Sequence, residues 1–156
     1  MENCCALKGP VLVVDDDEQV ASMVALTLQS EGVADLRKVT DSRQVMDILK
    51  QGGASLILLD MMMPNLSGRD LLPLIKQKYP HLPVVMVTGL SDVETVVECM
   101  KAGAYDYLLK PVEPSRLIAC VKNVQHVNDL RNEISILKQY LLTDSLKQPE
   151  AFTAIK

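Results

Sequence analysis

The feature that most limits what this chain can become is a pair of short apolar runs that each stop on acid. Val11-Leu12-Val13-Val14 runs into Asp15, Asp16 and Asp17, and Leu56-Ile57-Leu58-Leu59 ends on Asp60. Runs this short and this rich in branched residues are not helices; they read as strands buried on both faces of a parallel sheet. Ligands of an open parallel sheet bind outside the carboxyl ends of its strands. Two strands ending in carboxylates gather negative charge at one sheet edge, where the groups raise one another's pKa unless a cation relieves them. All-oxygen ligation favours a hard divalent ion, and Mg²⁺ is the natural candidate.

Around these runs, strands and helices alternate. Residues 10–15 form the first predicted strand, and Glu18 to Ser30 a helix with Val20, Met23, Val24, Thr27 and Leu28 on one face and Gly32 as its stop. Residues 34–39 make a second strand. Asp41 or Ser42 caps a helix carrying Val45, Ile48 and Leu49, which Gly52-Gly53 ends. After Asp60 a Pro-Asn-Leu-Ser-Gly loop leads to a helix from about Arg69 to Tyr79. Pro83 opens the strand Val84 to Val87, which ends at Thr88-Gly89. A helix from about Asp92 to Ala102 and a short strand from Tyr105 to Leu109, ending at Lys110-Pro111, complete the pattern. Five such strand–helix units imply an α/β doubly wound parallel sheet covered by helices on both faces. The order 2-1-3-4-5 suits it and makes the first and third strands neighbours, so that Asp15, Asp16 and Asp60 share one edge.

Composition sets the outer bounds. At 156 residues, 48% apolar and 23% charged, the chain suits one domain and a little more. With no Trp and one Phe, the core must be built from aliphatic and Met side chains. A net charge of −4 argues against direct nucleic-acid binding. Cys4 and Cys5 are adjacent near the start, while Cys99 and Cys120 sit inside helical patterns as small hydrophobes; this is not a disulfide framework. Residues 1–10 show no secretory signal and no run is long enough to span a membrane, so the expected setting is the cytoplasm, with reduced thiols.

Across residues 10–126 the motifs resemble the receiver domains of bacterial two-component response regulators, the CheY-like fold. They occur in that family's order: Val13-Val14-Asp15-Asp16, Asp60-x-x-Met63-Pro64-x-x-x-Gly68, Val87-Thr88-Gly89, Gly103-Ala104-Tyr105-Asp106-Tyr107 and Lys110-Pro111. The resemblance implies that Asp60 accepts a phosphoryl group from a phosphohistidine of a sensor histidine kinase. It also implies that Asp16 and Asp60 hold Mg²⁺ directly, that Asp15 helps through water, and that the backbone carbonyl of Met62 adds an oxygen. Lys110 would pair with a phosphoryl oxygen, with a cis peptide before Pro111 to aim it. Thr88 would hydrogen-bond another oxygen beside the room left by Gly89, and Tyr107 would swing inward as Thr88 moves. Such a domain catalyses only its own phosphotransfer and dephosphorylation. Met62 and Leu90 stand where family members flank the attacking water, and neither side chain can orient it, which implies a long-lived acyl phosphate. Asp17 is left for helix capping, Met61-Met62-Met63 for packing and a backbone ligand, and His81 and His126 for the surface.

The last helix carries a second message. From Pro114 to Leu142 nothing breaks it, which at ~1.5 Å per residue is about 43 Å. Leu117, Val121 and Val124 fit packing on the domain's own sheet. Val127, Leu130, Ile134, Leu137 and Leu141 then repeat at heptad a and d positions. In a parallel homodimer Glu133 at g would meet Lys138 at e of the partner helix. The alternative is one amphipathic helix docked on another domain. The expected division is a receiver over residues 1–126, a coiled-coil linker over 127–147 and the start of an output domain over 148–156. That tail, with Pro149, Phe152 and Ile155, resembles the lead-in to the AAA+ domain of NtrC-type, sigma-54-dependent transcription activators, whose AAA+ and DNA-binding parts this chain lacks. Competing readings are a stand-alone receiver, a phosphorylation-independent dimerisation module, and a haloacid-dehalogenase-type phosphatase, whose Asp-x-Asp followed by Gly or Thr is not matched by Asp15-Asp16-Asp17-Glu18.

Overall fold

β-Branched residues favour extended backbone, and they dominate residues 11–14 and 84–88, two of five short segments that pair edge to edge in the computed structural model, which describes residues 9–89 and 93–147. Strands β1 (Val11–Val14), β2 (Leu36–Val39), β3 (Leu56–Asp60), β4 (Val84–Thr88) and β5 (Asp106–Leu109) form one parallel sheet in the order β2-β1-β3-β4-β5. Helices α1 (Glu18–Ser30), α2 (Val45–Gly52), α3 (Gly68–Lys78), α4 (Val93–Lys101) and α5 (Pro114–Lys147) follow the strands in turn. Cys4, Cys5, Leu90, Asp92 and the segment 148–156 lie outside the described residues.

Alternation of side chains along the strands divides the core into two layers. Leu12, Val14, Ile57, Leu59, Val84 and Met86 pack in one layer with Val45 and Leu49 of α2, Leu71, Leu72 and Ile75 of α3, and Cys99 of α4. On the other face Val13, Leu58, Val87 and Leu108 border a small cavity with Val20 and Val24 of α1 and Leu117 of α5. β1, β3 and β4 are buried along their whole length, whereas the edge strand β2 shows Arg37 and Lys38 to solvent. That exposure is why β2 carries the weakest apolar signal.

Several boundaries differ from the sequence pattern for local reasons. β1 ends at Val14 rather than residue 15, because the backbone N–H of Asp17 turns back to Asp15 Oδ1 at 2.9 Å and ends the extended run. β2 starts at Leu36 rather than residue 34. Asp41 does act as a cap, but on a 3-10 turn, Ser42–Gln44, that precedes α2. Asp17 caps α1 as expected, accepting from the N–H groups of Gln19 and Val20. α3 begins at Gly68 under a Ser67 cap. α5 runs to Lys147, past the expected Leu142.

The chain divides into two compact units, one ending at Lys122 and one beginning at Asn123. In the first, Leu117, Cys120 and Val121 of α5 are buried. In the second, Leu130, Ile134, Leu137 and Leu141 are 45%, 52%, 59% and 60% exposed. Ile136, Tyr140 and Leu142, outside the heptad positions, are exposed as well. Cys99 and Cys120 are free and buried; burial pushes both thiols up, Cys120 to about 11, which leaves them unreactive. Among the described residues no helix is long and apolar enough to cross a membrane.

Candidate functional site

Register builds the site. β1 pairs with β3 so that Val14 lies beside Leu59, which brings the next residues, Asp15 and Asp60, together at the carboxyl edge of the sheet. On the far side Asp60 lies opposite Val87 of β4, one residue before Thr88. Thr88 in turn pairs with Leu109 of β5, and the N–H of Lys110 donates to the carbonyl of Thr88 at 2.8 Å. The chain thus delivers two carboxylates, a hydroxyl and a lysine to one edge from four different strand ends. The Lys110–Pro111 peptide is cis, as expected.

Asp15 and Asp60 are only 3% and 4% exposed. Lys110 Nζ stands 3.0 Å from Asp15 Oδ2 and 3.2 Å from Asp60 Oδ1, so one ammonium serves both carboxylates. The other oxygen of Asp15 accepts the N–H of Asp17. Asp16 is exposed, but its carboxylate lies with those of Asp15 and Asp60 inside a set of oxygens all within 4.8 Å of one another. Burial raises the Asp60 carboxyl to about 6 from an ordinary 3.8; the charge of Asp15 pushes the same way, while Lys110 and the N–H of Met62 oppose it. Burial alone would lower the Lys110 ammonium, but its hydrogen bond to Asp15 and the charge of Asp60 outweigh that and hold it above its ordinary value.

The donor set fits a hard divalent cation. Its three carboxylates offer only oxygen ligands. In formal charge, three carboxylates and one ammonium leave −3 + 1 = −2, which a divalent cation would balance. Electrophiles are accommodated by the same geometry, since Asp60 is a carboxylate with a mobile point charge at its side.

The sequence-predicted residues do not all meet. Asp15, Asp16, Asp60 and Lys110 converge, and Thr88, buried, ends the neighbouring strand. Tyr107 is partly buried against the core layer that holds α2 and α3. Met62 is 64% exposed, and Met61 is buried with its sulfur 3.8 Å from Cys99 Sγ, as packing rather than soft-metal binding requires. A Cβ at Gly89 would meet nothing within 4 Å among the described residues. Sequence reasoning aimed Lys110 only at a ligand oxygen and missed its sharing by Asp15 and Asp60. No local pattern announces that contact, because the side chain reaches its partners across β4.

Residues 11–122 match the model of the family described as the response regulator receiver domain. A putative NtrX-like response regulator of Rickettsia felis is 33% identical over 134 residues, which is 85% of this chain and 28% of that protein. The response regulator protein PilR of Pseudomonas aeruginosa is 31% identical, with 86% of this chain and 30% of that protein covered. The crystal structure of the receiver domain of NtrX from Brucella abortus superposes with a TM-score of 0.70 at 34% identity, covering 74% of this chain and 98% of that one. The chain therefore spans less than a third of the length of these curated relatives.

Asp60 ties stability to pH. Between 3.8 and about 6 the folded chain keeps a proton that the unfolded chain has released, so this group's contribution is fully present below 3.8 and is lost as the pH rises through about 6. In EDTA, Asp60→Asn should flatten this part of the pH dependence and raise the melting temperature at pH 7, by an amount worth at most roughly 3 kcal/mol. Thermal melts at pH 4.5 and 7 check it; a variant less stable than wild type at pH 7 would refute the strain at this carboxylate. Asp16→Asn should act more weakly, since Asp16 is exposed and Asp15 is the carboxylate that presses on Asp60.

Proposed function

Because the chain belongs to the response-regulator receiver family, we propose that Asp60 is its phosphoacceptor and that a sensor histidine kinase is its donor. The observation that carries this reading is the buried carboxylate pair sharing Lys110 at the carboxyl edge of the sheet. An Asp60 oxygen attacks the phosphorus of a phosphohistidine; the P–O bond forms, the P–N bond breaks, and the imidazole leaves with the electron pair. With its carboxyl at about 6, Asp60 is largely ionised near neutrality and ready to attack. Lys110 transfers its charge from the carboxylates to a phosphoryl oxygen, which its flexible stem allows. The Thr88 hydroxyl donates to another oxygen, and Tyr107 turns inward as Thr88 moves. Asp16, Asp60 and the Met62 carbonyl would hold Mg²⁺, with Asp15 acting through water, and the ion when bound neutralises charge on the transferring group. A phosphorylation-independent module would have no use for so costly a cluster of buried like charges.

The exposed stripe Leu130, Ile134, Leu137 and Leu141, continuing from Val127, supports a parallel homodimer through the end of α5. We place the receiver at residues 1–126, the coiled-coil linker at 127–147 and the start of an output domain at 148–156. Relatives of which the matched region makes up less than a third, among them NtrX-like and PilR regulators, support an NtrC-type output of AAA+ and DNA-binding domains in the remainder. In this reading the protein works in the cytoplasm, in sigma-54-dependent transcription control, and this portion binds no nucleic acid itself.

Acetyl phosphate with Mg²⁺ should add one phosphoryl group to Asp60, and Asp60→Ala should abolish it. Mass spectrometry that places the group on another residue of the wild type sinks the assignment. Since the exposed Met62 cannot guide water, Met62→Glu or Met62→Asn should shorten the acyl-phosphate lifetime several-fold. Equal decay rates in all three proteins would remove that side chain from the account. Ile134→Asp puts an unpaired charge into the seam and should release monomers in sedimentation while Asp60 is still phosphorylated. Wild-type monomers at every concentration and phosphorylation state would dispose of the coil.

A further inference from the structure

We infer that Gly68 is a positioning residue for the phosphoacceptor: the first turn of α3 is seated directly on the Asp60 carbonyl, and no side chain fits in the seat. An ideal Cβ at position 68 would lie 2.1 Å from the carbonyl oxygen of Asp60, 2.9 Å from its carbon and 3.1 Å from the Cα of Met61. All three are backbone atoms, so no rotamer change can make room. The need is for space and not for an unusual backbone, since the glycines with positive φ are Gly9, Gly32, Gly53 and Gly103, and Gly68 is not among them.

The neighbourhood cannot absorb a methyl group on either side. The N–H of Gly68 donates to the Met61 carbonyl at 3.1 Å, while the N–H of Met61 donates to Val87 of β4 at 2.9 Å. Met61 is thus held through its N–H by the sheet and through its carbonyl by the start of α3. The turn itself is fastened. Ser67 Oγ accepts from the N–H of Asp70 at 3.1 Å and bonds the Asp70 carboxylate at 2.9 Å, and the adjacent Arg69 pairs with Glu98 of α4. A side chain at 68 must therefore displace either the helix or the peptide that carries Asp60. The Met62 N–H, which bonds the Asp60 carboxylate, belongs to the adjoining Met61–Met62 peptide, whose carbonyl accepts from Gly68. Relieving the overlap takes a shift of about 1 Å, and misplacement on that scale costs reacting groups on the order of a hundredfold in rate.

This inference rests on the phosphoacceptor reading only for its rate arm. Its metal-free and Mg²⁺ arms stand without it. Gly68→Ala should leave a folded protein in which the amide resonances of Asp60, Met61 and Met62 are strongly displaced in metal-free NMR spectra. Its Mg²⁺ dissociation constant by calorimetry should rise at least tenfold, and phosphorylation by acetyl phosphate should slow by tenfold to a hundredfold. Gly53→Ala is the control: it is strained at φ +70 beyond the end of α2, where a Cβ meets nothing within 4 Å among the described residues. It should lower the melting temperature while leaving all three readouts within twofold. A folded Gly68→Ala with wild-type spectra, Mg²⁺ affinity and rate overturns the inference, as does a Gly53→Ala that loses Mg²⁺ affinity equally. If wild type binds Mg²⁺ but takes no phosphoryl group, the function reading fails while the spectra and calorimetry still decide the role of Gly68. Should Gly68→Ala not fold, Ser67→Ala unfastens the same turn without adding an atom near Asp60. A several-fold weaker Mg²⁺ affinity then supports the seat, and an unchanged one overturns it.

Discussion

Two carboxylates buried side by side and holding one ammonium between them are the constraint on which the rest of this structure depends. Charges removed from water carry a large desolvation cost, and a shared Lys110 offsets it only in part. The residue of that imbalance shows in Asp60, which burial and the charge of Asp15 keep well above the ordinary carboxylate range. An unrelieved carboxylate of this kind is a standing demand for positive charge. In the proposed function a hard divalent ion would answer the demand, and so would the redistribution of Lys110 once an electrophile arrived.

The sheet is what makes such a cluster tolerable. β1, β3 and β4 are buried throughout, and their ladder holds Asp15 and Asp60 in register against their mutual repulsion. Close packing on both faces resists the small shifts that would relax the pair. The same rigidity explains why α3 can sit on the Asp60 carbonyl: with Met61 bonded to β4 on one side and to Gly68 on the other, the backbone after Asp60 has little freedom. Stability stored in aliphatic packing is thereby used to hold a strained polar site open for chemistry.

The second unit obeys a different logic. From Leu130 to Leu142 its apolar side chains along α5 are exposed, so within this chain they contribute little hydrophobic stabilisation. An isolated helix gains its stability mainly from packing one face against a partner. The heptad positions account for part of that surface. Ile136, Tyr140 and Leu142 extend it around the helix beyond a simple two-stranded seam.

How much was legible beforehand follows from the range over which each signal acts. Branched apolar runs, capping residues and the acids at the strand ends are local, and from them came five strands, their parallel order, and the convergence of Asp15, Asp16 and Asp60. The Asp17 cap was readable for the same reason; the 3-10 turn before α2 was not, because Asp41 offers the same cap to either kind of helix. Contacts between residues far apart in the chain depend on register and side-chain reach. Only the folded chain shows that Asp15 is buried while adjacent Asp16 is exposed, and that Lys110 bridges two carboxylates. Gly68 stood in the sequence as one letter of a motif. Its meaning, a helix start pressed against the carbonyl of Asp60, exists only where α3 and β3 meet, since a side chain's absence carries no pattern until something else occupies the space.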